Sequence, residues 1–283
     1  MKNISIDISG KIDNTYINPL IEIKNIADTL NITFFIIGAF ARDIIMEYIH
    51  KIKAPRMTMD IDLGIRVSNW NQFDKLINKL ELSRKFKKTK EKQRITYEDI
   101  SIDIVPFGSI SNKNEKISWP PEDKVIMSVM GFNEVYTNST LVRLQNNPSL
   151  EVKIPTLPGL AILKLLAWND NFPYRSRDAE DLLFIMMKYE YTEIDDKLYE
   201  SELQLLKNEK FDNQIAAIVL LGKEMRMICA KRTIEYIRNI LNNETSEDSS
   251  YNLIGDMSIT SKIDFERILF FLKKLKKGFT AEK

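Results

Sequence analysis

Asp60 and Asp62, in the stretch "TMDIDLGI", are two carboxylates separated by one residue. On a strand, residues i and i+2 point to the same face about 6–7 Å apart, so these two would stand side by side while Ile61, Leu63 and Ile65 take the other face. Adjacent carboxylates repel each other unless a cation or a donor neutralises them. Carboxylate oxygens completed by water and phosphate are the environment that Mg²⁺ or Mn²⁺ prefers. Asp-x-Asp alone is a weak signal, because most such pairs are surface acids. A third carboxylate, Asp103 in "ISIDIVPF", shows the same polarity: Ile100, Ile102 and Ile104 on one face and the acid on the other. If the two strands are neighbours, three carboxylates converge. That is enough for a two-metal site, in which ions about 3.5–4 Å apart activate an attacking oxygen and stabilise a leaving one.

Other residues fit the same chemistry. Gly38 ends the buried-strand pattern "ITFFIIG" and opens a helical one, a junction that turns backbone N–H groups outward as a phosphate site. Arg42, one turn into that helix, is a fork suited to phosphate or to a nearby carboxylate. Lys164 stands alone in the apolar helix "LAILKLLAW" and needs a partner or an anion. Asp178 and Asp181 share a face at i and i+3 of the next helix. They leave two readings open: an interhelical salt bridge with Lys164, or a set that places Lys164 on a nucleotide triphosphate, with Arg175 and Arg177 as further phosphate contacts. One cysteine, Cys229, and one histidine, His50, exclude the usual Cys/His zinc sites and any intrachain disulfide. His50 falls where a helix should end, as a charge facing the helix dipole. Catalysis is left to carboxylates, lysine or arginine, and a hard metal.

The elements that must position these residues follow from periodicity. "NPLIEIKNIADTLN" reads as a helix, "ITFFIIG" as a strand and "AFARDIIMEYIH" as a helix with Phe40, Ile44, Ile45, Tyr48 and Ile49 on one stripe. A loop over 54–58 leads to the strand "MDIDLGIRV". "NWNQFDKLINKLE" is a helix capped by Ser68 or Asn69, and "RITYED" and "ISIDIVPF" are paired strands. Residues 131–154 read as short strands with a hairpin turn at "NNPS". Beyond "PTLPGL" the pattern is helical: 158–168, 177–189, 196–208, 211–221, 223–241 and 262–277, with the polar 242–250 as a flexible connection. The expectation is an α+β chain: a mixed sheet flanked by helices over 1–154, then a helical bundle over 155–283.

With 283 residues, 44% hydrophobic and 29% charged, the chain has the composition of an ordinary globular protein with room for two domains. No apolar run is long enough to cross a bilayer, and "MKNISIDISG" lacks the apolar core of a secretory signal, so no membrane partner and a cytoplasmic address are expected. Net charge is +1, but "RKFKKTKEKQR" (84–94) holds seven basic residues and one acidic, and "KKLKK" (273–277) follows the same trend. Such runs are usually solvated faces; they can also contact RNA phosphates.

Taken together, "IIGAFARD", "TMDIDLGI" and "SIDIVPF" resemble the active-site pattern of the nucleotidyltransferase superfamily: a glycine turn after a strand, then Asp-x-Asp, then a third Asp on a later strand. The likeness is greater to the AbiEii-type nucleotidyltransferases of abortive-infection toxin–antitoxin systems. Their Gly turn is followed by Arg, and their "R-x-[ST]-x-D-[IL]-D-L" is matched by "RMTMDIDL", which adds Thr58 to the nucleotide-binding set. "PTLPGLAILKLLAWNDNFPYRSRDAEDLLFI" is similar to the family's lysine helix and Arg-Asp-x-x-Asp block. The resemblance covers about residues 32–187. It implies a nucleotidyltransferase fold whose helical domain completes the nucleotide cleft. It also implies transfer of a nucleotidyl group from an NTP, with Mg²⁺ or Mn²⁺ on Asp60, Asp62 and Asp103, and Lys164 among the catalytic residues. Gly38, Ala39, Arg42, Thr58, Lys164, Asp178 and Asp181 would bind nucleotide. Acceptors would be tRNA or other RNA, or a protein hydroxyl, and a cognate antitoxin would be the partner. The family's second turn residue is usually Gly or Ser, and here it is Ala39, which keeps the backbone N–H but offers no hydroxyl. A catalytically silent protein of the same fold, binding nucleotide or RNA, is the alternative.

Overall fold

The computed structural model describes residues 6–281. Contacts divide it into two compact units, Met1–Ile49 with Arg56–Thr156, and His50–Pro55 with Leu157–Lys283.

The first unit is built on an eight-stranded mixed sheet. Its first half comprises β1 (Ile6–Asp7), α1 (Asn14–Thr29), β2 (Thr33–Ile37), α2 (Gly38–Asp43), β3 (Ile61–Arg66) and α3 (Trp70–Leu82). Then come β4 (Phe86–Lys88), β5 (Arg94–Tyr97), β6 (Ile100–Phe107), the small hairpin β7 (Lys116–Ser118) and β8 (Ile126–Ser128), α4 (Phe132–Thr137), β9 (Thr140–Gln145) and β10 (Leu150–Ile154). The sheet order is β1-β9-β10-β2-β3-β6-β5-β4. β3 lies between β2, to which it is antiparallel, and β6, to which it is parallel. Apolar alternation fixes which face each strand buries: Ile61, Leu63, Ile65, Ile102 and Ile104 are fully buried. α3 presents the stripe Phe73, Leu76, Ile77 and Leu80, and Asn69 caps it by accepting from Gln72 N–H at 3.0 Å. On the other face of the sheet, Phe35, Phe107, Phe132 and Tyr136 pack ring against ring at centroid distances of 5.4–6.0 Å.

The second unit is helical: α5 (Leu157–Asp170), α6 (Ser176–Lys188), α7 (Leu203–Asn208), α8 (Asn213–Ile228), α9 (Lys231–Thr245), α10 (Asn252–Ser258) and α11 (Phe265–Thr280). α5 is buried almost all round, from Leu157 to Leu166 and at Trp168, as expected of a helix with no polar face. α8 and α11 cross at two glycines. A Cβ on Gly222 would lie 2.2 Å from the Leu275 carbonyl oxygen, and one on Gly278 would lie 1.8 Å from that of Val219. None of the described helices is long and apolar enough to cross a membrane.

The expected α+β class is the one observed, with local departures. "FNEVYT" is the helix α4, not a strand, because the aromatic layer takes Tyr136 and Phe132 from one helical face; local β-propensity yields to that packing. The expected break near Gly222 is absent, since that glycine is the contact point with α11; the break falls at Cys229–Ala230, where the backbone is extended. α9 runs to Thr245, so the first four residues of the expected connection 242–250 are helical, and α10 begins just beyond it at Asn252. A short π turn, Lys197–Ser201, precedes α7 within the expected helix 196–208.

Candidate active site

Strand register builds the site. Asp62 and Asp103 are direct partners in the parallel β3–β6 pair, and Asp103 and Arg94 in the antiparallel β5–β6 pair. Ile37, the last residue of β2, partners Asp62 from the other side. One row across four strands therefore reads Ile37, Asp62, Asp103, Arg94 on a single face. Neighbouring strands are about 4.8 Å apart, so the backbones carrying the two aspartates touch. Asp60 precedes β3 and is exposed, while Asp62 and Asp103 are half-buried.

Asp103 is engaged. Arg94 donates from Nε to Oδ1 at 2.7 Å and from Nη2 to Oδ2 at 2.9 Å, a bidentate pair, while Nη1 lies 3.2 Å from Glu91 Oε2. The hydrogen bond to Asp103 raises the Arg94 pKa further above its already high value, with smaller contributions from the charges of Glu91 and Asp60. Among the described residues no three His, Cys, Asp or Glu side chains are grouped closely enough to hold a metal ion. Of the three carboxylates expected to converge, Asp62 and Asp103 are the register pair. Asp60 and Asp62 are carboxylates of the kind Mg²⁺ takes, and that ion needs few protein ligands when phosphate oxygens complete its shell. Both oxygens of Asp103 are held by Arg94 in this arrangement.

Gly38 makes the row possible. Its φ is +70°, and a Cβ there would lie 1.9 Å from Asp62 Oδ2. Only glycine lets the turn and the carboxylate occupy adjacent space. Ala39 follows, half-buried. Arg42 is fully buried and bonds Asp43 Oδ1 from Nε at 2.8 Å and Nη2 at 2.5 Å, and the Arg56 carbonyl at 3.0 Å. Of the two partners foreseen for it, the structure provides the carboxylate, and the guanidinium ties α2 to the approach of β3. The Thr58 carbonyl accepts from Tyr16 Oη at 3.1 Å, and Tyr16 stacks on Phe40 at 5.1 Å. Burial raises the Tyr16 pKa, and Asp13, Asp43 and Asp60 add to the rise, so it remains a neutral donor to that strand.

Lys164, Asp178 and Asp181 form a cluster in the helical unit. Lys164 Nζ is 2.8 Å from Asp178 Oδ1 and 2.7 Å from Asp181 Oδ2, and all three residues are buried. Burial alone would lower the lysine pKa, but the two carboxylates outweigh it and the pKa is raised. Arg175 Nε bonds the second oxygen of Asp178 at 2.6 Å, and Arg177 is exposed. Two cations and two anions balance, which is the interhelical arrangement between α5 and α6. His50 follows the π turn Ile44–Ile49, at the helix end expected for it, and burial lowers its pKa, partly opposed by Glu193.

Arg94 and Tyr16 are the residues that sequence reasoning missed. A signal for Arg94 existed. The strands "RITY" and "ISIDIVPF" are joined by only two residues, Glu98 and Asp99, so Tyr97 pairs with Ile100 and Arg94 must reach Asp103. Within the basic run, Lys85, Lys88, Lys92 and Arg94 carry ion pairs, to Glu22, Glu81, Glu122 and Asp103.

Comparison with known proteins adds the following. No curated protein matches this sequence. Among solved structures, the antibiotic-resistance factor ANT(2″)-Ia in solution is distantly similar, 13% identical over 70% of this chain and 98% of its own, with a TM-score of 0.36. A CCA-adding enzyme complexed with ATP is 14% identical over 95% of this chain and 81% of its own, TM-score 0.32. The Thermotoga maritima CCA-adding enzyme complexed with tRNA is 12% identical over 95% and 82%, TM-score 0.30. The family model described as nucleotidyl transferase AbiEii toxin, type IV TA system, matches residues 27–259, most of the chain, and the protein therefore belongs to the AbiEii nucleotidyltransferase family.

Proposed function

We propose that the protein transfers a nucleotidyl group from an NTP to a hydroxyl acceptor, an RNA 3′ end such as that of tRNA or a protein side chain, through the row beside Gly38. The reading is supported by one observation above others: Asp62 and Asp103 are register partners beside a glycine turn that admits no other residue. Asp60 and Asp62 would hold Mg²⁺ or Mn²⁺, which when bound supplies positive charge against the triphosphate. The Gly38 and Ala39 N–H groups are offered to phosphate oxygens. The acceptor oxygen forms a bond to the α-phosphorus, the bond from that phosphorus to the bridging oxygen breaks, and pyrophosphate leaves. The acceptor proton passes to Asp103. Positioning and charge supply most of the rate in such transfers.

Catalysis belongs to the domain 1–154. For an RNA acceptor, Arg84, Lys87 and Lys90 are the basic-run residues not committed to the ion pairs above. Membership of a toxin family favours a toxin held in check by a cognate antitoxin protein.

The test incubates the full chain with each labelled NTP, Mg²⁺ or Mn²⁺ and total RNA, beside an Asp60→Ala/Asp62→Ala variant. Transfer of label by the wild type alone is expected. NTP binding with no transfer to RNA, protein or small hydroxyl acceptors would leave a silent nucleotide-binding protein instead.

A further inference from the structure

Arg94 occupies the place beside Asp103 where a cation would otherwise neutralise the row. Both Asp103 oxygens are taken, at 2.7 and 2.9 Å, and the guanidinium's third nitrogen rests 3.2 Å from Glu91. The pair is nevertheless not sealed in. The Arg94 side chain is 32% exposed and that of Asp103 is 20% exposed, so the guanidinium can leave without crossing a packed core. A guanidinium grips a phosphate with the same two-pronged geometry that it uses on a carboxylate. A nucleotide arriving with its divalent ion brings the two partners that an exchange needs: a cation for the carboxylate and an anion for the arginine.

We propose that Arg94 is an exchange residue. In the nucleotide-free protein it holds Asp103, and on nucleotide binding it passes to the triphosphate and leaves Asp103 free beside Asp62. The guanidinium trades one anion, the Asp103 carboxylate, for another, the triphosphate. Asp103 is then available only when nucleotide is present, which keeps the free protein from assembling the full carboxylate set around a metal ion. The proposal rests on the nucleotide reading of the row.

An exchange residue has a signature that neither a structural brace nor a fixed phosphate contact shares. It competes with the metal in the absence of nucleotide and helps the nucleotide bind. Isothermal titration of the full chain with Mn²⁺ alone, and separately with the α,β-methylene analogues of the four NTPs in Mg²⁺, measures both. Arg94→Ala should raise Mn²⁺ affinity about tenfold and lower analogue affinity about tenfold, a coupling of ordinary size. Arg94→Lys keeps the charge but loses the fork, folds with less disturbance, and should shift both affinities in the same directions by less. A fall in both affinities on either substitution, or a fall in analogue affinity with Mn²⁺ affinity unmoved, overturns the exchange and leaves the nucleotide reading standing. A wild type that takes up neither Mn²⁺ nor any analogue overturns both.

Discussion

Asp62 depends on a residue that has no side chain. The Asp62 carboxylate fills the space a Cβ on Gly38 would need, and the φ of +70° at that glycine is itself unfavourable for any L side chain. Gly38→Ala therefore meets two obstacles at once, and Asp62 must move. The variant should lose about 1–2 kcal/mol in urea denaturation from the backbone conformation alone. Its transfer activity should fall far more than its stability, because the Asp62 carboxylate is displaced. Activity kept at wild-type level would show that the row tolerates a shifted Asp62.

Lys164 ties two helices together. An ammonium with two buried carboxylates, one of which also serves Arg175, is a closed circuit between α5 and α6. Removing one partner leaves charge buried without compensation, which typically costs about 3–5 kcal/mol. Asp181→Ala should lower stability by that order in chemical denaturation. The double variant Lys164→Met/Asp181→Leu should recover part of the loss, since replacing buried charges by apolar groups of similar size is often neutral. Equal and additive losses would show that the charges do not act as a unit.

At the scale of the molecule, charge is close to balanced at +1, and the basic run is less free than its composition implies. Four of its residues are held by glutamates or by Asp103, and Phe86–Lys88 forms the edge strand of the sheet, where lysines also discourage strand addition by another chain. RNA attraction should therefore come from a few positions. Replacing Arg84, Lys87 and Lys90 together by alanine should weaken RNA binding and reduce the slope of log affinity against log salt by about 2, at roughly 0.7 per single-strand phosphate contact. An unchanged slope, measured by filter binding across a salt series, would place the RNA contacts elsewhere.

Much of this protein is legible in the order of its residues. Period-two alternation places Asp62 and Asp103 opposite the buried isoleucines, because a strand turns successive side chains to opposite faces. A lysine in an apolar helix announces a buried partner, because an unpaired charge is not tolerated there. The helix at 132–137 and the unbroken helix through Gly222 were not legible, since aromatic and glycine contacts between elements distant in sequence outweigh local propensity. Only tertiary structure decided that β3 and β6 are neighbours, and hence that Asp62 stands beside Asp103. Alternation assigns a side chain to a face, whereas register between strands assigns it to a neighbour.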